Sequence, residues 1–203
     1  MTLTVADLRA AIARLTVAME REFDALNAAD GALGDGDLGV TLTRGMRAIT
    51  ELSPGLPDDL GQALLACAQA FTKTSGSSYG TLMATGLMSM AKVLRGRTGV
   101  EASEVSSLIG GARDAMQARG KADLGGKTVL DSLDAMAKAT SGLTDSAEVA
   151  AAAATSAATA QAEMKGRIAT IGRARIFGEK TIGMDDPGML AMTAIAGAIA
   201  GGA

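Results

Sequence analysis

In the opening segment "LTVADLRAAIARLTVAMEREFDALNAAD", apolar residues recur at three- and four-residue spacing: Val5, Leu8, Ile12, Leu15, Met19, Phe23 and Leu26. A stripe of that period with charges opposite it predicts an amphipathic helix. Thr4 with Asp7 three residues later gives it a capping-box-like start. The same kind of pattern predicts helices over roughly 40–52, 57–73, 79–94, 101–119, 128–140, 145–168 and 187–200. Between them lie a Gly/Asp loop from Asp30 to Gly39, "SPGLP", "TSGSS", "RGKADLGGK", "TSGLTD" and a longer Gly-punctuated loop from Thr170 to Asp186. No run shows the period-two alternation of a strand. About eight helices joined by mostly short connections predict an all-α fold, an antiparallel up-and-down bundle or barrel. A length of 203 residues favours one domain over 1–203.

Composition sharpens this picture. Hydrophobic residues make up 48% of the chain but aromatics only 2%, so Ala, Leu, Ile and Met must fill the core, which suits closely packed helices. The single cysteine, Cys67, lies in the apolar run "QALLACAQAF" and reads as a buried structural thiol. There is no histidine, which removes the commonest general base and any phosphohistidine relay within this chain. A net charge of −3 without a Lys/Arg run points to no nucleic acid and no anionic membrane as partner. No apolar run reaches the length of about 18 residues that a membrane span needs, and no signal pattern opens the chain. The expectation is a cytoplasmic protein.

The chemistry concentrates in the loops. "GALGDGDLGVTL" contains G-x-G-x-x-G in Gly34, Gly36 and Gly39, the pattern of dinucleotide-binding turns. That reading fails, because a helix precedes the glycines and two aspartates inside the loop would repel a pyrophosphate. "GKADLGGKT" has five residues where a P-loop has four, and Thr41 stands where an EF-hand starting at Asp30 needs Glu. Asp30, Asp35 and Asp37 form a hard-oxygen cluster suited to Mg2+, which would turn a repulsive loop into a bridge to phosphates. The alternative is a solvated loop whose aspartates make Asx-turns and cap the next helix. "KTSGSSYGT" gathers hydroxyls and backbone N–H groups near a helix start, either an anion site or an ordinary connection. Arg173, Arg175 and Lys180 either clamp phosphate charge or form a solvated basic loop.

Taken in order, "NAADGALGDGDLGVTLTRG", "TSGSSYGTLMATG", "RGKADLGGKTVLDSLDAM" and "GRARIFGEKTIGMDDPG" resemble the L subunits of bacterial dihydroxyacetone kinases. The resemblance covers nearly the whole chain. It implies an eight-helix antiparallel barrel with two Mg2+ ions and ADP or ATP held at one end. Asp30, Asp35 and Asp37 would be the metal ligands. Leu38, Gly39, Val40, Thr41, Ser75 and Gly76 would lie along the phosphates. Gly120, Thr128, Val129 and the Asp186-Pro187-Gly188 turn would complete the nucleotide site, with Arg173 reaching the phosphates. The implied activity is phosphoryl transfer to a small ketose held on a separate K subunit. In one branch of the family a phosphotransferase-system M-type subunit rephosphorylates bound ADP; in the other, ATP exchanges. A nucleotide-binding regulatory subunit without chemistry is the alternative, and a purely structural bundle would bind no nucleotide. A homodimer through an exposed apolar stripe is compatible with the pattern. Three positions depart from the family's usual residues: Leu38 for His, Val129 for Met and Lys180 for Arg.

Overall fold

The computed structural model describes residues 2–74 and 76–201. The first helical stripe forms α1 (Val5–Arg21) and α2 (Phe23–Leu33), one column bent at Glu22. There follow α3 (Leu38–Leu52), α4 (Leu60–Thr74), α5 (Ser78–Val93), α6 (Val105–Gly120), α7 (Val129–Ala139), α8 (Ser146–Met164) and α9 (Pro187–Ala200). With α1 and α2 counted as one column, the nine described helices make eight staves. Each stave packs on the next along the chain, and α9 closes the ring against α1. The result is the up-and-down helical barrel expected from the pattern.

The local signals work as their chemistry dictates. The Asp7 carboxylate accepts the Thr4 backbone N–H at 2.8 Å, fixing the start of α1. The Asp131 carboxylate does the same for Thr128 at 2.8 Å, while the Thr128 hydroxyl accepts the Leu130 N–H at 3.2 Å. Leu26, Met19, Met116 and Met189 are almost wholly buried, each contributing about 1.5–3 kcal/mol of apolar burial. The Ala-rich α8 turns Val149, Ala153, Ala157 and Ala160 inward, small side chains that let it lie close against its neighbours α7 and α9. Cys67 is buried, and burial pushes its thiol up to about 11, so the cysteine is structural. Among the described residues no helix is long and apolar enough to cross a membrane.

Two features differ from the expectation. Residues Thr2–Thr4 (β1) pair antiparallel with Gly99–Glu101 (β2), with Leu3 opposite Val100. Three residues are too few to show an alternation, and the partner lies half the chain away, in the middle of the sequence. The loop before α9 also contains a 3-10 segment, Ala174–Thr181, broken by Gly178 in the left-handed region (φ 55°).

An up-and-down ring places alternate connections at opposite ends. Connections 34–37, 76–77, 121–128 and 165–186 share one end, and 53–59, 94–104 and 140–145 share the other. Every loop that the sequence marks as chemically distinctive falls in the first group. The helices that start at that end are α3, α5, α7 and α9.

Candidate functional site

Asp30 lies half-buried in the last turn of α2, and its carboxylate accepts the backbone N–H groups of Asp37 (2.9 Å) and Leu38 (3.2 Å). Gly36, in the left-handed region (φ 75°), makes the turn between them. The Asn27 side-chain oxygen accepts the Gly39 N–H at 2.8 Å and the Val40 N–H at 3.3 Å. Asn27 thus caps α3, and the Asp37 side chain makes no capping bond although Asp37 occupies the cap position. A β-carbon at Gly39 would lie 2.3 Å from the Phe23 carbonyl oxygen, so only glycine allows α3 to begin this close to α2.

This framing leaves Asp30, Asp35 and Asp37 each with a carboxylate oxygen within 4.8 Å of the others. Burial and the neighbouring charges of Asp35 and Asp30 raise the Asp37 carboxyl above its ordinary range. Arg173 pairs with Asp35 and lowers that carboxyl instead. A donor set of three hard oxygens at this spacing fits Mg2+.

The cluster opens onto a cleft of about 880 Å3. Its wall draws on all four loops at this end: Asp30, Asp35, Asp37 and Leu38; Gly76 to Tyr79; Arg119 to Ala122 with Thr128 to Leu130; and Ile171 to Ile176 with Asp186 to Gly188. The first turns of α5, α7 and α9 face it, while α3 meets it through Leu38 alone, so three positive helix ends converge on one space beside the aspartates. Such ends, with Ser77 capping Gly80 at 3.0 Å, suit a polyanion beside the carboxylates. The segment carrying Arg173 packs on the end of α2 through Leu33, Ala169, Ala174, Phe177 and Met184.

Of the residues expected here, Leu38, Gly76, Gly120, Thr128, Val129, Arg173, Asp186, Pro187 and Gly188 line the cleft with the three aspartates. Gly39, Val40 and Thr41 are not on its wall; the first two donate to Asn27, and the Thr41 N–H bonds the Asp37 carbonyl at 2.8 Å. Ser75 lies outside the described residues. Arg175 reaches the wall and Lys180 does not. Residues not singled out beforehand are Asn27 and Tyr79. The signal for Asn27 was its position one turn before Asp30 on the same helix. Tyr79 donates its hydroxyl to the Gly188 carbonyl at 3.3 Å, joining α5 to α9, and burial raises its ionisation well above the usual range.

The family model of the DAK2 domain matches residues 32–201. The chain belongs to the DAK2-domain family. This DAK2 protein is 29% identical over 175 residues to the ADP-binding subunit of the PEP-dependent dihydroxyacetone kinase of Escherichia coli, covering 82% of each chain. It is 32% identical to the corresponding subunit of the PTS-dependent kinase of Lactococcus lactis, over 80% of this chain and 79% of that one. Human triokinase/FMN cyclase is 35% identical over 86% of this chain, which spans 31% of the human protein. The dihydroxyacetone kinase of C. freundii, solved with AMP-PNP and Mg2+, shares the fold with a TM-score of 0.76 at 22% identity, over 100% of this chain and 35% of that one.

Asp186 gives the DAK2 site a pH signature. Its carboxylate accepts the Met189 N–H at 2.9 Å, and burial pushes the carboxyl up to about 7. The folded form therefore binds this proton more tightly than the unfolded chain. The resulting stability is full below the unfolded value and is lost as pH rises through about 7. Without nucleotide or metal, the thermal midpoint relative to Asp186→Asn is expected to fall progressively between about pH 4 and about pH 7 and to level off above that. A difference that stays flat over that range would place the carboxyl in solvent.

Proposed function

We propose that this chain is the nucleotide-binding phosphotransferase subunit of a small-ketose kinase. It holds Mg·ADP or Mg·ATP in the cleft and passes the terminal phosphoryl group to a ketose carried on a separate K subunit. The observation that carries this reading is the carboxylate triad facing the N-termini of α5, α7 and α9 across one cleft, with Arg173 at the seam. Asp30, Asp35 and Asp37 would hold two Mg2+ ions, which supply charge neutralisation on the phosphates when bound. The start of α5 faces the phosphate chain, and the Arg173 guanidinium offsets charge developing on the transferred group. The chain has no histidine to hold the ketose, so that task falls to the partner. The names of the Escherichia coli and Lactococcus lactis relatives, ADP-binding subunits of a PEP-dependent and a PTS-dependent kinase, support ADP as the resident nucleotide; the donor in this reading is an M-type subunit of a phosphotransferase system.

A second reading, a regulatory subunit that presents Mg·ADP without chemistry, draws on Leu38. This apolar residue is 4% exposed and lines the cleft where the family usually places His. Native mass spectrometry of the purified chain, before and after EDTA, tests the binding. The expected mass exceeds that of the bare chain by ADP and Mg2+, and EDTA removes both. A chain that binds neither ADP nor ATP on titration with Mg2+ overturns both readings. Adding a K subunit and ketose then separates them, since only the kinase produces sugar phosphate.

A further inference from the structure

Lys127 is 1% exposed, the largest of the fully buried side chains, although it sits in the Gly-rich loop between α6 and α7. Its ammonium donates to three carbonyl oxygens: Lys165 at 3.2 Å, Arg167 at 3.0 Å and Thr181 at 2.7 Å. That uses all three donors of a lysine. Every acceptor belongs to the segment that leaves α8 and returns to α9. The same segment is closed at its base by the Gly183 N–H on the Lys165 carbonyl at 2.8 Å. Inside it, the Thr181 hydroxyl accepts the Ala169 N–H at 2.9 Å and donates to the Gly178 carbonyl at 2.7 Å. Lys127 also adopts a left-handed backbone (φ 59°), disfavoured for a side chain with a β-carbon and held here by its surroundings.

Arg173 stands midway between the two anchors Lys165 and Thr181. Its side chain is 59% exposed, so no surrounding core fixes it, and its position follows the backbone that carries it. We infer that Lys127 is a positioning residue: it rivets the base of the 165–183 segment and so sets where the Arg173 guanidinium meets the carboxylate triad. The inference rests on the phosphotransferase reading for its kinetic consequence but not for its structural one. A buried ammonium is costly unless fully bonded, and here its bonds go to one functional segment, not to the body of the barrel.

The test uses Lys127→Met, which keeps an unbranched side chain of similar length and removes the donors. Hydrogen exchange on the purified chain is expected to speed up by about tenfold or more in peptides from 165–183, with α1 and α4 unchanged. With K subunit and ketose, kcat is expected to fall by about tenfold while KM for the Mg-nucleotide moves little. Combined with Arg173→Ala, the variant should lose no more activity than Arg173→Ala alone, because it acts through that residue. Losses that multiply, or unchanged exchange in 165–183, would overturn the inference. If unaltered protein gives no sugar phosphate, the kinase reading fails and the exchange measurement alone decides the rivet. If Lys127→Met does not fold, Thr181→Val loosens the same knot from the other side and enters the same cycle with the same criteria.

Discussion

Replacing Asp35 by Asn is expected to abolish Mg2+-dependent nucleotide binding while the barrel stays folded. The side chain is about half exposed and packs against no core, so the substitution makes no cavity. Its ion pair with Arg173 is screened by solvent and adds little to stability. What disappears is one of three charges on which a hard cation depends, and the amide that replaces it is a weaker Mg2+ ligand. Asp30 would be a poorer target, because its carboxylate also holds the backbone of Asp37 and Leu38. Calorimetric titration with ADP at saturating Mg2+ should show affinity reduced by about a hundredfold or more, with helicity and apo thermal midpoint near those of the parent. Unchanged affinity would move the metal away from this loop.

Arg173→Ala carries the second large effect. The guanidinium sits at the seam between the aspartate loop and the 165–183 segment, and its exposure means that truncation costs no packing. A cation placed where charge develops during phosphoryl transfer contributes about 10²–10³ in kcat. Turnover with the K subunit should fall by that order while the KM for Mg-nucleotide changes far less, the pattern of a contact that strengthens in the transition state. A loss confined to KM would make Arg173 a ground-state phosphate ligand.

Much of this was legible in the chain because it is local. Thr4 with Asp7 and Thr128 with Asp131 each span three residues, so the helix starts they dictate can be read without tertiary knowledge. The Asp-Pro-Gly turn likewise marks the first residue of α9, where Pro187 takes a position that needs no N–H bond. The aspartate cluster was legible because its members lie within eight residues of one another. The β1–β2 pair was not, since its two strands are brought together only by the closed ring. Lys127 was hidden for a related reason: in a run of glycines a lysine reads as solvated, and its three acceptors come from a segment far along the chain. Gly39, Val40 and Thr41 share the aspartate motif, but α3 winds them away from the cleft once Asn27 has claimed the first amides.

The even number of staves has a practical meaning for how this protein is handled and joined. Thr2–Thr4 pairs beside the α5–α6 connection, and Arg14 bonds the Ala198 and Ile199 carbonyls at the close of α9, so both ends of the described chain emerge on the floor opposite the cleft. A tag, tether or second module joined at either end therefore hangs below the barrel and leaves its mouth free for a partner. The same geometry suits a unit that makes up only a third of a larger polypeptide, as in the human relative.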